Sequence, residues 1–124
     1  VDWCFDVGAD GVGTGMVSET LKLTADERVE LPRLLVEAAA GRGPVFAAVG
    51  AEGTRQAVGF AVAAERVGCD AVMAVPPLTA RLGVAQLTDY FRAVADAVAI
   101  PVIVQDASGY VGQAIPTAVY AALL

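Results

Sequence analysis

Residues 68–75 read Gly68-Cys69-Asp70-Ala71-Val72-Met73-Ala74-Val75. The pattern predicts that a helix ends on a glycine at its C-terminal cap, after which an Asp leads into an unbroken apolar run. The same order occurs at Gly8, where Ala9 and Asp10 precede the strand-like segment 11–15. Continuous apolar runs, as opposed to alternating ones, are typical of strands buried on both faces of a parallel sheet. The repeat therefore predicts a parallel α/β fold.

Two further apolar runs, 45–49 and 100–104, complete a set of four predicted strands. Thr24 and Glu27 form a capping box that predicts the start of a helix, and Pro32 predicts a kink or a later start. Pro116 suits the first turn of the last helix. Apolar stripes at helical spacing mark three helices, the second of them capped by Thr54: Leu31, Leu34, Leu35 and Ala38; Ala57, Phe60, Ala61 and Ala64; Leu87, Phe91, Val94, Ala95 and Val98.

These units predict about half of an eight-unit (β/α)8 barrel, in one domain over residues 1–124 that we expect to be truncated at both ends. The net charge of -6, without a basic cluster, disfavours nucleic acid and anionic membrane surfaces as partners. No apolar run approaches the roughly 18 residues that a membrane span needs. Cys4 and Cys69 lie in apolar segments without staple-like spacing, which predicts core thiols in a reducing, cytoplasmic setting.

The residue types present limit the chemistry. The chain has no His, which excludes Ser–His and Cys–His pairs and histidine metal sites within this segment, and we expect no metal and no cofactor. The one lysine, Lys22, lies in a polar stretch before the capping box. An imine-forming lysine needs a desolvated pocket. Imine chemistry would therefore use a lysine outside these residues.

Two loop motifs have more than one interpretation. The segment 11–19, which begins with a Gly-x-Gly-x-Gly run, could be a dinucleotide loop, a loop whose amides hold a small anion such as a carboxylate, or a structural turn. The next helix starts too far along, near Thr24, for its dipole to sit under a pyrophosphate, which favours the anion loop. The prolines in Val75-Pro76-Pro77-Leu78 predict a rigid exit from a strand; the alternative is a pocket rim or a subunit contact.

The fourth strand ends in Gln105 and Asp106, followed by a loop bounded by Gly109 and Gly112. In an α/β barrel, side chains at the carboxyl ends of strands carry the chemistry. We interpret Gln105 and Asp106 as polar groups that face a pocket. The alternative is the hydrogen-bonded end of a strand, with the Asp106 carboxylate accepting from amides of the loop at Ser108.

Four segments together resemble the dihydrodipicolinate synthase / N-acetylneuraminate lyase family: 15–28, 44–50, 68–77 and 100–104. The resemblance implies a (β/α)8 barrel, usually tetrameric, that forms a Schiff base between a lysine and pyruvate or another 2-keto acid. Such enzymes carry out aldol cleavage, aldol condensation or dehydration. By this match the chain covers about strands 2 to 5, and the family's lysine lies on strand 6, beyond Leu124.

The sequence departs from the family pattern at the expected site. A Gly-Thr-Thr-Gly-Glu loop that holds the keto-acid carboxylate becomes Gly15-Met16-Val17-Ser18-Glu19. The resemblance implies that the amides of Met16 and Val17 bind there with the hydroxyl of Ser18 or, as the alternative, of Thr14. The tyrosine that a neighbouring subunit usually contributes is replaced by Leu78, and the arginine that follows the fifth strand of the synthases falls at Tyr110, a candidate substrate-binding residue.

The fifth-strand Tyr-Asn of the family becomes Gln105-Asp106. A tyrosine hydroxyl relays protons, and such help contributes roughly 10²–10⁴-fold to the rate. Gln105 cannot ionise, so it can only orient a carbonyl or a water. Asp106 is a candidate for proton transfer if burial raises its pKa.

Two hypotheses follow. The first is a divergent class I lyase or aldolase acting on a 2-keto acid, with Gln105 and Asp106 where the proton relay normally stands. The second is a non-catalytic barrel homologue that binds a small carboxylate or has a structural or regulatory role.

Overall fold

The four predicted strands form one sheet. The computed structural model describes residues 1–16, 20–112 and 114–124. The strands β1 (Val12–Gly13), β2 (Val45–Ala48), β3 (Ala71–Ala74) and β4 (Val102–Val104) lie side by side in chain order and are all parallel. The register places Ala47 beside Val72 and Val72 beside Val102. The parallel α/β fold predicted from the apolar runs is confirmed.

Helices connect and flank the strands: α1 (Asp2–Asp6), α2 (Ala25–Ala39), α3 (Thr54–Arg66), α4 (Val84–Ala95), α5 (Ser108–Val111) and α6 (Thr117–Leu123), with a 3-10 turn at Thr20–Lys22. The capping box is confirmed, because the amide of Glu27 donates to Thr24 Oγ1 at 3.3 Å and the amide of Thr24 donates to the Glu27 carboxylate at 2.8 Å. Helix α2 starts at once and contains Pro32, so the later start is wrong. The cap of α3 is Gly53, one residue before the predicted Thr54.

The side of the sheet that faces the helices is the core. Along β2 the side chains of Val45, Ala47 and Val49 are buried, whereas Phe46 and Ala48 on the opposite side are half-buried. The predicted stripes of α3 and α4 supply much of the packing: Ala57, Phe60, Ala61, Ala64, Leu87, Phe91 and Val94. The expected burial on both faces of the sheet therefore holds for one face of the described chain. We call the less buried side the inner face.

The apolar stripe of α2 is confirmed in part, because Leu31 and Leu35 are half-buried and Leu35 packs against the core. Leu34 is 46% exposed and Ala38 is also exposed, while Pro32 and Ala39 are buried. The helix turns Pro32 toward the sheet, one turn after Arg28. The sequence pattern left out Pro32 and Arg28, because a proline and an arginine were not counted as members of an apolar face. In α4 the predicted Ala95 is likewise exposed.

The glycine–aspartate entries to the strands are confirmed. Gly8 and Gly68 have φ of 94° and 93°, the left-handed conformation that ends a helix without strain only for glycine. The Asp70 carboxylate accepts a hydrogen bond of 2.7 Å from the amide of Val45. This contact fixes the start of β3 against the start of β2.

The glycine at position 13 serves close packing. A Cβ there would lie 2.5 Å from ring atoms of Phe46 on β2, so the glycine leaves room for the Phe46 ring to pack over β1. This observation supports the structural alternative for the start of the Gly-rich run. The loop at 17–19, where a small anion would bind, lies outside the described residues.

Cys4 and Cys69 are free thiols, and Cys69 is buried, as predicted. Burial raises the pKa of the Cys69 thiol to about 11. Among the helices of the described chain, none combines the length and the apolar character needed to cross a membrane.

The close approach of β2 and β3 at their carboxyl ends makes a testable prediction about Gly50. A Cβ at this position would lie 2.6 Å from Val75 Cγ2 and 2.9 Å from the Val75 amide nitrogen. Overpacking of this kind costs about 1–3 kcal/mol, so we expect Gly50→Ala to lower the midpoint of urea unfolding of the chain.

Gly59→Ala is the matched control. Gly59 lies inside α3, and a Cβ there would meet nothing within 4 Å. Alanine is favoured over glycine in a helix by about 0.5–1 kcal/mol, so this variant should unfold at the same or a higher urea concentration. Equal midpoints for Gly50→Ala and the unchanged chain would contradict the packing argument.

Candidate functional site

The carboxyl ends of the four parallel strands meet at one edge of the sheet. Thr14, Val49, Val75 and Gln105 follow the strands there. In open and closed α/β sheets this edge is where ligands bind. The residues at this edge are therefore the candidates for function.

Arg28 on α2 organises this edge. Its Nη2 donates to the carbonyl oxygens of Ala48 at 3.2 Å and Gly50 at 2.8 Å, and its guanidinium carbon lies 3.9 Å from the centre of the Phe60 ring. On the same strand, the amide of Ala48 donates to Thr14 Oγ1 at 2.7 Å. Strand β1 has only two residues. Beyond the end of β1, the side chains of Arg28 and Thr14 therefore form hydrogen bonds with the backbone of β2 in its place.

Burial lowers the pKa of Arg28, because the charged form loses part of its hydration. An arginine nevertheless stays protonated in proteins. The edge therefore contains a fixed, partly buried positive charge.

Two cavities lie on either side of Arg28. The inner cavity, on the inner face, has a volume of about 10 Å³, and its walls include Met16, Met73, Val75 and Gln105. The outer cavity has a volume of about 190 Å³ and lies between α2 and the loops that follow β2 and β3. Gly50 and Val75, which follow the carboxyl ends of β2 and β3, line both cavities.

Gln105 forms part of the inner cavity. Its amide nitrogen donates to the carbonyl oxygen of Ala74 at 2.9 Å, which continues the β3–β4 ladder by one residue. Its side chain is half-buried, and Oε1 is buried without a hydrogen-bond partner in the described part of the chain. The side chain thus faces a pocket, as the sequence predicted.

Asp106 has a different environment. Its carboxylate accepts hydrogen bonds from the amides of Ser108 at 2.8 Å and Ile115 at 3.1 Å. These bonds, that from Ser108 first, hold the pKa of the exposed Asp106 carboxyl below its ordinary value. The condition for proton transfer by Asp106, a pKa raised by burial, is not met, because loop amides stabilise the ionised form in solvent. The arrangement matches the capping alternative.

The other predicted site residues are dispersed. Met16 lines the inner cavity, while Val17 and Ser18 lie outside the described residues. Tyr110 is on the short helix α5, is 74% exposed and lines neither cavity. Lys22 is exposed on the 3-10 turn. Within the described ranges, no group of three or more His, Cys, Asp or Glu side chains is placed to hold a metal ion.

Two residues that sequence reasoning missed hold the loops of this edge. The Glu52 carboxylate accepts from the amides of Leu78 at 2.7 Å and Thr79 at 3.1 Å and from the Thr79 hydroxyl at 2.5 Å. The buried Tyr90 hydroxyl donates to the carbonyl of Ala51 at 3.2 Å and accepts from its amide at 3.1 Å. The sequence did contain a signal for the Tyr90 contact, because this tyrosine lies next to the apolar stripe of α4 and a buried tyrosine needs a polar partner.

The proline exit after β3 is part of the same arrangement. Pro76 and Pro77 are buried, and the Leu78 amide after them is fixed by Glu52. This supports the rigid-exit interpretation. Pro76 and Leu78 also line the outer cavity, so the exit forms a pocket rim as well.

Comparison with known sequences identifies relatives over the whole chain. The model of the dihydrodipicolinate synthetase family matches residues 1–124. A 4-hydroxy-tetrahydrodipicolinate synthase of Chelativorans sp. (strain BNC1) is 39% identical over 105 residues, which cover 84% of this chain and 36% of that protein. An L-2-keto-3-deoxyarabonate dehydratase of Azospirillum brasilense is 38% identical over 111 residues, which cover 86% of this chain and 36% of that protein. The chain thus spans little more than a third of these relatives.

Solved structures share the fold. The crystal structure of a prophage protein of the dihydrodipicolinic acid synthase family from E. coli K12, in complex with pyruvate, matches with a TM-score of 0.93 and 28% identity over 98% of this chain and 41% of that one. The structure of PhdJ bound to a substrate intermediate matches with a TM-score of 0.89 and 31% identity over 98% of this chain and 38% of that one. The predicted partial (β/α)8 barrel is confirmed.

The Glu52 contacts predict how the loop after β3 responds to pH. The Thr79 hydroxyl and the two loop amides hold the pKa of Glu52 below its ordinary value of 4.5. A carboxyl with a lowered pKa stabilises the folded loop above its unfolded pKa and loses this effect as the pH falls through the folded value. We therefore expect the amide NMR signals of Leu78 and Thr79 to titrate with a midpoint below 4.5.

Glu52→Gln should abolish this titration, because the side chain then has no ionisable group. Asp106→Asn is the matched control, since it removes a loop-capping carboxylate after β4 and should leave the Leu78 and Thr79 titration unchanged. A titration that persists in Glu52→Gln would assign the effect to another group.

Proposed function

The chain belongs to the dihydrodipicolinate synthetase family, and we propose that the protein is a class I lyase or aldolase that forms a Schiff base with pyruvate or another 2-keto acid. The observation that carries this proposal is the position of Gln105 and Met16 on one cavity at the carboxyl end of the sheet. This is the edge at which barrel enzymes place their chemistry. The names of the relatives, a synthase and a dehydratase, and the bound pyruvate of the E. coli protein agree with it.

In the proposed reaction, a lysine amine attacks the ketone carbon of the substrate, and water leaves as the imine forms. The amine must be deprotonated, which favours a desolvated pocket. Lys22 is exposed, so we assign this role to a lysine outside residues 1–124. We assign the keto-acid carboxylate to the Met16 and Val17 amides and the Ser18 hydroxyl, and we keep Tyr110 as a candidate contact from the loop after β4.

In this proposal, Gln105 and Asp106 have different roles at the end of β4. Gln105 faces the cavity and orients a carbonyl or a water through its carboxamide, without ionising. Asp106 holds the loop that carries Tyr110, through the amides of Ser108 and Ile115. In this proposal Asp106 is a positioning residue.

One observation favours a second candidate, a non-catalytic homologue that binds a small carboxylate. Among the described residues that line the inner cavity, the ionisable side chain is that of Arg28, which does not exchange its proton near neutral pH. Such a wall binds an anion but supplies no proton. Tetrameric assembly and a cytoplasmic location belong to the proposal in either case.

Borohydride trapping tests the Schiff base. When the natural polypeptide that contains residues 1–124 is treated with pyruvate and borohydride, reduction of the imine should add the mass of one adduct to a single lysine. Peptide mapping by mass spectrometry should place it outside this segment, and Lys22→Arg should trap equally well. Binding of pyruvate without any adduct would favour the non-catalytic candidate, and an adduct on Lys22 would overturn the lysine assignment.

Gln105→Tyr tests whether the cavity is still built for proton relay. General acid–base help contributes roughly 10²–10⁴-fold, so we expect kcat for pyruvate-dependent condensation to rise with a smaller change in KM. Gln86→Tyr is the matched control, because Gln86 is exposed on α4 and lines neither cavity. Equal kcat values for the two variants and the unchanged protein would argue against a relay position at residue 105.

A further inference from the structure

The loop between β3 and α4 borders the outer cavity, and both of its ends are fixed. At its start, Pro76 and Pro77 are buried, and their rings fix the backbone dihedral φ. At its end, Leu82 packs against the hydrophobic core, and the amide of Gly83 donates to Gln86 Oε1 at 3.1 Å. Movement of this loop is therefore confined to the residues between these ends.

The segment 78–81, which we call the strap, has few contacts of its own. Residues 79–81 are exposed, and Leu78 is half-buried. Among the hydrogen bonds within the described chain, those of the strap all end on Glu52, whose carboxylate accepts from the Leu78 amide and from the amide and hydroxyl of Thr79. Segments with few buried contacts open at the low end of the free-energy range of local unfolding. The position of the strap therefore depends on one side chain.

Glu52 itself has a rigid support. It lies between Ala51 and Gly53, the N-cap residue of α3. The hydroxyl of Tyr90, which is 2% exposed, donates to the carbonyl oxygen of Ala51 and accepts from its amide. These two hydrogen bonds tie the backbone next to Glu52 to α4. When the strap moves, the carboxylate that holds it therefore stays in place.

The strap forms part of the wall of the outer cavity. Leu78 and Glu52 line this cavity of about 190 Å³ together with Val75 and Pro76. Val75 and Pro76 are buried and follow β3 directly, so they are part of the fixed wall. Leu78 belongs to the segment that Glu52 alone holds. Loss of the Glu52 contacts therefore frees one wall of the cavity and leaves the others unchanged.

We propose that the strap is a lid on the outer cavity, latched by the Glu52 carboxylate. Its opening admits solvent and small solutes to the cavity while the sheet stays folded. Lids of this kind turn about a few residues at the ends of elements. Here those residues are Leu78, which follows the two prolines, and Gly83, which precedes α4. The lid does not depend on the Schiff-base chemistry proposed above.

Trypsin cleavage after Arg81 measures the opening, because Arg81 lies in the strap and proteases cut at exposed, locally opened loops. In the natural polypeptide that contains residues 1–124, we expect Glu52→Gln to raise the rate of this cleavage about fivefold or more, since a neutral amide binds the strap less strongly than a carboxylate. Thr79→Val removes one of the three contacts and should raise the rate less. Asp106→Asn, which removes a loop-capping carboxylate after β4, is the matched control and should leave the rate unchanged.

A thiol in the fixed wall shows whether the strap covers the cavity. Val75 is 7% exposed, so a cysteine side chain at this position is shielded while the strap is closed. In a chain with Cys4→Ala and Cys69→Ala, the Val75→Cys thiol should react slowly with an aromatic disulfide reagent. Adding Glu52→Gln should speed this reaction by a factor similar to that for cleavage after Arg81.

Each alternative outcome overturns a defined part of the proposal. Equal rates of cleavage after Arg81 in Glu52→Gln and the unchanged protein would overturn the latch. A parallel rise in cleavage after Arg66 in α3 and Arg92 in α4 would show a general loss of stability and overturn the lid as a separate unit. Faster cleavage without faster reaction of the Val75→Cys thiol would overturn its role as a cover. Pyruvate trapping is measured independently, so failure of the lid leaves the proposed function standing.

Discussion

The hydrogen bonds from Arg28 to the end of β2 are the constraint on which the functional edge depends. Where a strand extends beyond its neighbour, its carbonyl groups need other hydrogen-bond donors, because an unpaired buried carbonyl costs free energy. Here the Arg28 guanidinium donates to the carbonyl oxygens of Ala48 and Gly50 and stacks on the Phe60 ring. It therefore connects α2, α3 and the end of β2. A lysine has neither the planar fork nor the flat face needed for both contacts.

The main features of the fold could be predicted from the sequence, because they follow from local patterns. Four apolar runs predicted the strands, and the capping box at Thr24 predicted the start of α2, since both patterns depend on neighbouring residues alone. The contribution of Arg28 to the inward side of α2 could not be predicted in this way. It depends on hydrogen bonds to backbone carbonyls 20 and 22 residues away, which no local period encodes.

The site was predicted in part for the same reason. The position of Gln105 follows from the rule that strand ends carry function, and its side chain does line a cavity. Glu52 and Tyr90 were missed because their partners, Leu78 and Ala51, lie 26 and 39 residues away in the chain. Two interpretations of Asp106 were open from the sequence, and its short-range contact with the Ser108 amide matches the capping interpretation.

Gln105 follows β4 at the position where the family resemblance implies a tyrosine, and this limits the chemistry of the strand end. A tyrosine brings its own hydroxyl to the site, whereas Gln105 brings a shorter carboxamide that can accept a hydrogen bond but cannot relay a proton through ionisation. Gln105 lines the inner cavity with Met16, Met73 and Val75, so its carboxamide is the polar group that β4 places there. The charged side chain on the described wall of that cavity is Arg28, which holds its proton near neutral pH. If a Schiff base forms at this edge, its proton transfers therefore need an ionisable group beyond the described lining of the inner cavity.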